Sequence, residues 1–262
     1  KQQHRALGQI VFGTSVASGG GAFIHHVELT GLTADTRYYY RVVSGSIVSP
    51  IYFFRTPPSL TAETPFQFIA YSDCQNGSNG IKHEEVINEG VISFCSLQYG
   101  VPIDESVSFS LVPGDLVSTG SNHSHWQDHF FGQAQNLYRH VPLIPALGNH
   151  EANAQFYFDY MQLPNNGTAG FEEHWHYLDH QNVRVITLDT NSGYRIQEQL
   201  DWLAVILDDA AVDDEDLRMQ AGLGATGAGA YHHNITIKRC VPIEIFTAKH
   251  SRWFVGMSMT EG

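Results

Sequence analysis

Three short polar clusters hold the side chains best suited to chemistry: Ser72-Asp73-Cys74-Gln75, Gly114-Asp115-Leu116 and Gly148-Asn149-His150-Glu151. Each follows a compact apolar run, residues 66–71, 108–112 and 142–147, of the kind that forms a buried strand. Side chains just beyond the carboxyl ends of strands in an open α/β sheet line the crevice where such folds bind ligands, so the three clusters are expected to converge. Singly they are ambiguous. Asp73 reads equally as a ligand or as a turn or cap residue, Gly114-Asp115 as a β-turn, and Gly148-Asn149 as a common turn dipeptide. The ordered set, each member placed after a strand, is the signal.

Periodicity outlines the strands and helices around these residues. Residues 183–188 form a fourth apolar strand candidate, and 81–97 and 126–138 have helical faces. Ile196, Leu200, Leu203 and Leu207 recur at i, i+4, i+7 and i+11 on a further helix. Strand and helix in alternation predict an α/β layered domain. Ahead of it, residues 7–55 alternate apolar and polar in short segments, as in a small antiparallel β domain, with Tyr38, Tyr40 and Val42 on one strand face. The stretch from Gly31 to Val42 resembles the penultimate turn and strand of a fibronectin type III-like sandwich, and about 55 residues are too few for its seven strands. Thr56-Pro57-Pro58-Ser59 and the following residues to Pro65 break the pattern as a linker. The expected organisation is a truncated β-sandwich domain at 1–56, a linker at 57–65, an incomplete α/β domain at 66–216 and an atypical segment at 217–262.

Bulk properties narrow the partners. The chain has 262 residues, 27 acidic against 14 basic, a formal charge of −13 and 42% hydrophobic residues. That is the composition of a folded protein, and no stretch is basic enough to track nucleic acid. The acidic run Asp208, Asp209, Asp213, Asp214, Glu215 and Asp216 reads as a solvated helix end. Cys74, Cys95 and Cys240 cannot all pair and form no CxxC motif. Sequons at Asn76, Asn122, Asn166 and Asn234 tilt the expectation toward a secreted, extracellular or periplasmic glycoprotein, and no apolar run reaches the length of a transmembrane helix. The N-terminus lacks the layout of a signal peptide, as in a mature form or a chain whose start is absent.

Strand-Asp-x-x, strand-Gly-Asp and strand-Gly-Asn-His-Glu, in that order, are similar to the calcineurin-like metallophosphoesterases. With the β domain in front and Gln199-Leu-Asp-Trp-Leu203 behind, residues 7–215 look most like the purple acid phosphatase branch. The resemblance implies metal-dependent hydrolysis of phosphate monoesters, an acid phosphatase-like reaction on a small phosphorylated substrate. It implies two di- or trivalent metal ions, drawn from iron, manganese, zinc and magnesium. Two such cations about 3.5–4 Å apart clamp the attacking and leaving oxygens of an in-line displacement. By resemblance Asp115 bridges them, Asp73 binds one, Asn149 binds the other, and Gln75 either ligates or only hydrogen-bonds. His150 is then the catalytic and substrate-binding residue, hydrogen-bonding phosphoryl oxygens or protonating the leaving alkoxide.

The chain departs from the family pattern at Gln75, where the family usually has His or Gly two residues after the Asp, and in two further places. Ser118 stands where the coloured enzymes place a metal-bound tyrosine. The later histidine motifs have no recognisable counterpart: His232 and His233 follow a Gly/Ala run, and His250 lies in a tail without a motif. The segment from about Leu217 is therefore expected to be a reading-frame error or aberrant ending, leaving strand 183–188 as an exposed sheet edge and activity impaired. The alternative is a catalytically dead relative acting as a binding or adhesion module. His123, His125 and His129 are expected at the surface, and His174, His176, His25 and His26 carry no assigned role.

Overall fold

The computed structural model describes residues 8–18, 22–75 and 81–209, together with the backbone of three later strands at 218–222, 234–238 and 255–258. The N-terminal unit contains β1 (Thr14–Ala17), β2 (Phe23–His26), β3 (Arg37–Tyr40), β4 (Val43–Ser44), β5 (Ile47–Val48) and β6 (Tyr52–Arg55). They pair antiparallel as β1-β2, β3-β6 and β4-β5, so the expected small antiparallel β domain is present as three two-stranded ribbons. The β3-β6 ribbon is held by directly opposed aromatics, Tyr38 with Phe54, Tyr39 with Phe53 and Tyr40 with Tyr52, the kind of cross-strand pair that stabilises a sheet. Strand β3 stops at Tyr40, and Val42, expected on its buried face, is exposed.

The second unit starts with β7 (Gln67–Ala70), β8 (Ser110–Val112) and β9 (Leu143–Pro145), which run parallel as neighbours. Pro145 lacks an amide hydrogen and is tolerated because β9 is an edge strand. Alternation along the strands sends side chains to opposite faces. Ile69 and Val112 join one buried cluster with Ile87, Val91, Trp126, Phe130 and Leu137, from the helical runs 81–99 and 123–138. Phe68 and Leu111 join another with Phe66, Phe109, Val183 and Val185. The parallel sheet thus lies between a helical layer and a second sheet, an α/β layered domain.

That second sheet contains β10 (His176–His180), β11 (Val183–Thr187), β12 (Arg218–Gly222) and β13 (Asn234–Lys238), in the antiparallel order β10-β11-β13-β12. Residues 183–188 were expected beside the other three apolar strands, and they lie in this separate sheet. They form no exposed edge either, because β13 pairs with β11 from Arg184↔Lys238 to Thr187↔Ile235. Strand β12 takes in Ala221 and Gly222 from the Gly/Ala run, and β14 (Val255–Ser258) pairs with β7. Residues 223–233 and 239–254, with His232, His233, Cys240 and His250, lie outside the described residues, as do Asn76 and residues 213–216.

Helix Gln197–Asp209 is rotated from the expected stripe: Leu200 is exposed, while Gln199 and Ile206 are buried. Of the sequons, Asn122 is exposed and caps a helix by accepting from Ser124 N at 3.1 Å. The Asn166 amide is already used at both ends, on the Tyr177 carbonyl and amide. The described cysteines, Cys74 and Cys95, are buried and free. No described helix is long and apolar enough to cross a membrane.

Candidate active site

Because β7, β8 and β9 are adjacent and parallel, the three polar clusters emerge side by side from one sheet end, with Asp115 after the central strand. The chain turns sharply there. Asp73 (φ 56°) and Asp115 (φ 54°) both adopt left-handed backbone, a conformation that costs a non-glycine residue about 1–3 kcal/mol and concentrates at functional sites. The Asp115 carboxylate joins the outer clusters: Oδ2 accepts from Gln75 Nε2 at 3.3 Å and Oδ1 from the His150 amide at 3.0 Å. The Gln75 amide also donates to the Asp115 carbonyl at 3.2 Å.

Glu151, to which the motif reading gave no role, fixes this arrangement. Its carboxylate is fully buried and accepts from the backbone amides of Asp115 (2.8 Å), Leu116 (2.8 Å), Val117 (3.2 Å) and Gly148 (2.7 Å). Four donors from two loops meet on one side chain, locking the second cluster to the third. Burial pushes its carboxyl up to about 7, with the Asp115 charge adding to the rise and the amide donors opposing it. Gly148 is required, since a Cβ there would run into the Asp115 amide nitrogen and carboxylate. Only its sequence neighbours pointed to Glu151, because one buried acid leaves no periodic trace.

His150 is half-buried, and its Nδ1 donates to the Ser118 carbonyl at 2.9 Å. The His150 carbonyl accepts from Gly120 N at 2.9 Å. Ring and backbone are therefore fixed against the 118–120 loop, and Nε2 is the ring atom left for a ligand. Asp73 is exposed and accepts from Ser72 Oγ, while Asn149 lies between the anchored Gly148 and His150. Among the described residues no group of three His, Cys, Asp or Glu is poised to hold a metal ion. The predicted donors are instead two carboxylates and two amides. Gln75 Oε1 is buried without a partner beside the Asp115 carboxylate, and oxygens of this kind suit a hard cation.

His123, His125 and His129 are less exposed than expected. His129 is buried against His125, with ring centroids 4.3 Å apart, and burial lowers its pKa. His123 Nε2 and His125 Nδ1 are sealed from solvent without partners. His174 pairs with buried Asp189 at 2.7 Å. His176 and His180 lie within the second sheet's packing, buried and pushed down to about 4.

Comparison with known proteins agrees with this architecture. A family model described as Calcineurin-like phosphoesterase matches residues 69–224, and one described as Purple acid Phosphatase, N-terminal domain, matches residues 2–56. An uncharacterized protein of Mycobacterium tuberculosis is 26% identical over 217 residues, covering 73% of this chain and 40% of its own length. Purple acid phosphatase 1 of Ipomoea batatas is 24% identical over 216 residues, covering 77% of this chain and 42% of its own. The chain thus spans about 40% of the length of these relatives. The structure of purple acid phosphatase PPD1 from yellow lupin (Lupinus luteus) seeds superposes with a TM-score of 0.52 at 19% identity, over 74% of this chain and 37% of that one, a likeness of fold. With more than half its residues inside the catalytic-domain match and its N-terminal unit inside the other, the chain belongs to the calcineurin-like phosphoesterase family, on its purple acid phosphatase side.

Proposed function

We propose that this chain carries the carboxylate-and-amide part of a cation-dependent site that hydrolyses small phosphate monoesters. Asp115 supports the reading most: one carboxylate after the central strand contacts the first cluster through Gln75 and the third through His150. Asp73 and Gln75 would hold one cation, Asn149 a second, and Asp115 both. The bound cations would polarise the ester and activate the attacking water. With Nδ1–H committed to Ser118, His150 presents Nε2 to the substrate; protonated, that atom donates to a phosphoryl oxygen or gives its proton to the leaving alkoxide.

Among the described residues no group of three His, Cys, Asp or Glu is placed to hold a metal ion, and the later histidine motifs that the family resemblance implies have no recognisable counterpart in the sequence. Two carboxylates and two amides retain cations weakly, because uncompensated carboxylates repel one another. The 262-residue chain by itself is accordingly proposed to bind phosphate in a cation-dependent way and to turn over poorly. A secreted or periplasmic setting is part of the proposal, and the exposed Asn122 sequon supports it.

The test is phosphate binding and aryl-phosphate hydrolysis by the purified chain with and without manganese, beside Asp115→Asn. Expected are manganese-dependent phosphate binding, lost in the variant, and slow turnover. Phosphate binding indifferent to both manganese and Asp115→Asn would refute the site. Fast manganese-dependent hydrolysis that Asp115→Asn abolishes would keep the site and refute the impairment.

A further inference from the structure

The turn after β11 grips the loop that carries Asn149 and His150 at both of its ends. Asn191 Nδ2 donates to the carbonyls of Leu147 (3.3 Å) and Gly148 (3.4 Å), at the loop's start. Tyr194 Oη accepts from Asn153 Nδ2 at 2.7 Å, at its finish. The turn is itself fastened by buried groups. Asp189, 1% exposed, accepts the Asn191 amide on Oδ1 at 2.9 Å and pairs through Oδ2 with His174 Nδ1 at 2.7 Å. The His174 ring stacks on Tyr194 with centroids 4.2 Å apart. Gln199, the polar residue on the buried face of helix Gln197–Asp209, holds the Asp189 amide and carbonyl and the Tyr194 carbonyl at 2.8, 2.9 and 2.8 Å.

We infer that the His174–Asp189 pair and Asn191 are positioning residues, which fix the Asn149–His150 loop in place from the second sheet. A buried carboxylate bonded to both an imidazole and a turn amide admits few arrangements, since moving it strands a polar group away from water. The loop is thus held from inside by Glu151 and from outside by the 189–194 turn. The inference rests on the proposed function for its catalytic meaning, because it is that reading which makes Asn149 and His150 functional.

Amide hydrogen exchange on the cation-free chain tests it. In Asn191→Ala, the mildest variant, the His150 amide, bonded to Asp115 Oδ1, should exchange about tenfold faster, while the Ile69 and Tyr71 amides of the parallel sheet stay within about twofold. Asp189→Ala should show the same local effect. Asp189→Asn, which keeps an acceptor for Asn191 and a hydrogen-bonding group for His174, should restore the original rate. An unchanged His150 amide in Asn191→Ala, a rise shared equally by Ile69 and Tyr71, or no rescue by Asp189→Asn would each overturn the inference. Manganese titration supplies the functional arm, with Asn191→Ala binding about tenfold more weakly as the loop loosens. Unaltered binding in Asn191→Ala would overturn the inference if Asp115→Asn abolishes binding. If Asp115→Asn also leaves manganese binding unaltered, the site reading fails while the exchange result stands on its own.

Discussion

Asp115 and His150 are joined by a hydrogen bond, yet their side chains have different duties, and substitution separates them. In the proposed site Asp115 would give its carboxylate to the cations, whereas His150 gives its amide to Asp115 and would present its ring to the substrate. His150→Ala should therefore weaken inorganic phosphate binding about tenfold, the loss of one charge-assisted hydrogen bond, and leave manganese affinity within about twofold. Asp115→Asn should weaken both, and isothermal titration of the two variants decides. An equal loss of manganese affinity in both would mean that His150 is a ligand. Glu151→Gln should act on the fold: a carboxamide has one acceptor oxygen and turns an NH2 toward amides that now meet a carboxylate. The expected cost is about 2–3 kcal/mol, read as a lowered thermal midpoint. Asp115, Asn149 and His150 were legible because their clusters end strands; Glu151 was not, because its work is done on backbone amides that a sequence does not display.

At the scale of elements, the three parallel strands were visible as apolar runs, and they fall where the runs predict. The β10-β11 ribbon was only half visible. Strand β10 reads His-Tyr-Leu-Asp-His, and its polar letters hide the fact that His176 and His180 are among its most buried members. Likewise Gln199 took the place that periodicity had reserved for Leu200, because the helix face must satisfy the Asp189 turn as well as fill space. The two histidines make acid stability a prediction. Both are pushed down from 6.5 to about 4 by burial, so each stays neutral in the fold while its unfolded counterpart takes up a proton. Unfolding binds protons between those values, and stability should fall as pH drops from about 6.5 to about 4, by up to about 3 kcal/mol per ring, with no further loss from these groups below. Urea midpoints of the chain and of His180→Phe across that range check it. The variant should show the shallower slope, and equal slopes would discard the assignment.

The whole molecule is joined across its two units by a small polar and aromatic contact. Arg37 Nε and Nη2 donate to the Asp104 carboxylate at 2.6 and 2.8 Å, and Nη2 also reaches Glu105. Tyr40 Oη donates to the Arg139 carbonyl at 2.9 Å, and His140 Nδ1 to the Phe53 carbonyl at 2.7 Å. The Asp104 side chain is 0% exposed, so Arg37→Met strands a buried charge. It should cost about 3 kcal/mol, and a thermal midpoint unchanged from the parent would show that the contact carries no energy. None of this was legible in sequence, where Arg37 and Asp104 are 67 positions apart and no periodic pattern links them. What sequence did carry was the ordered set of strand-end motifs, proposed here to build one cation and phosphate site. The most direct measurement is anomalous diffraction from crystals of the chain grown with manganese and phosphate. A manganese peak is expected in coordinating contact with the Asp115 carboxylate and at least one of Asp73, Gln75 and Asn149, with phosphate density toward His150 Nε2. Manganese bound elsewhere, with the Asp115 carboxylate free of it, would rule out the proposed site.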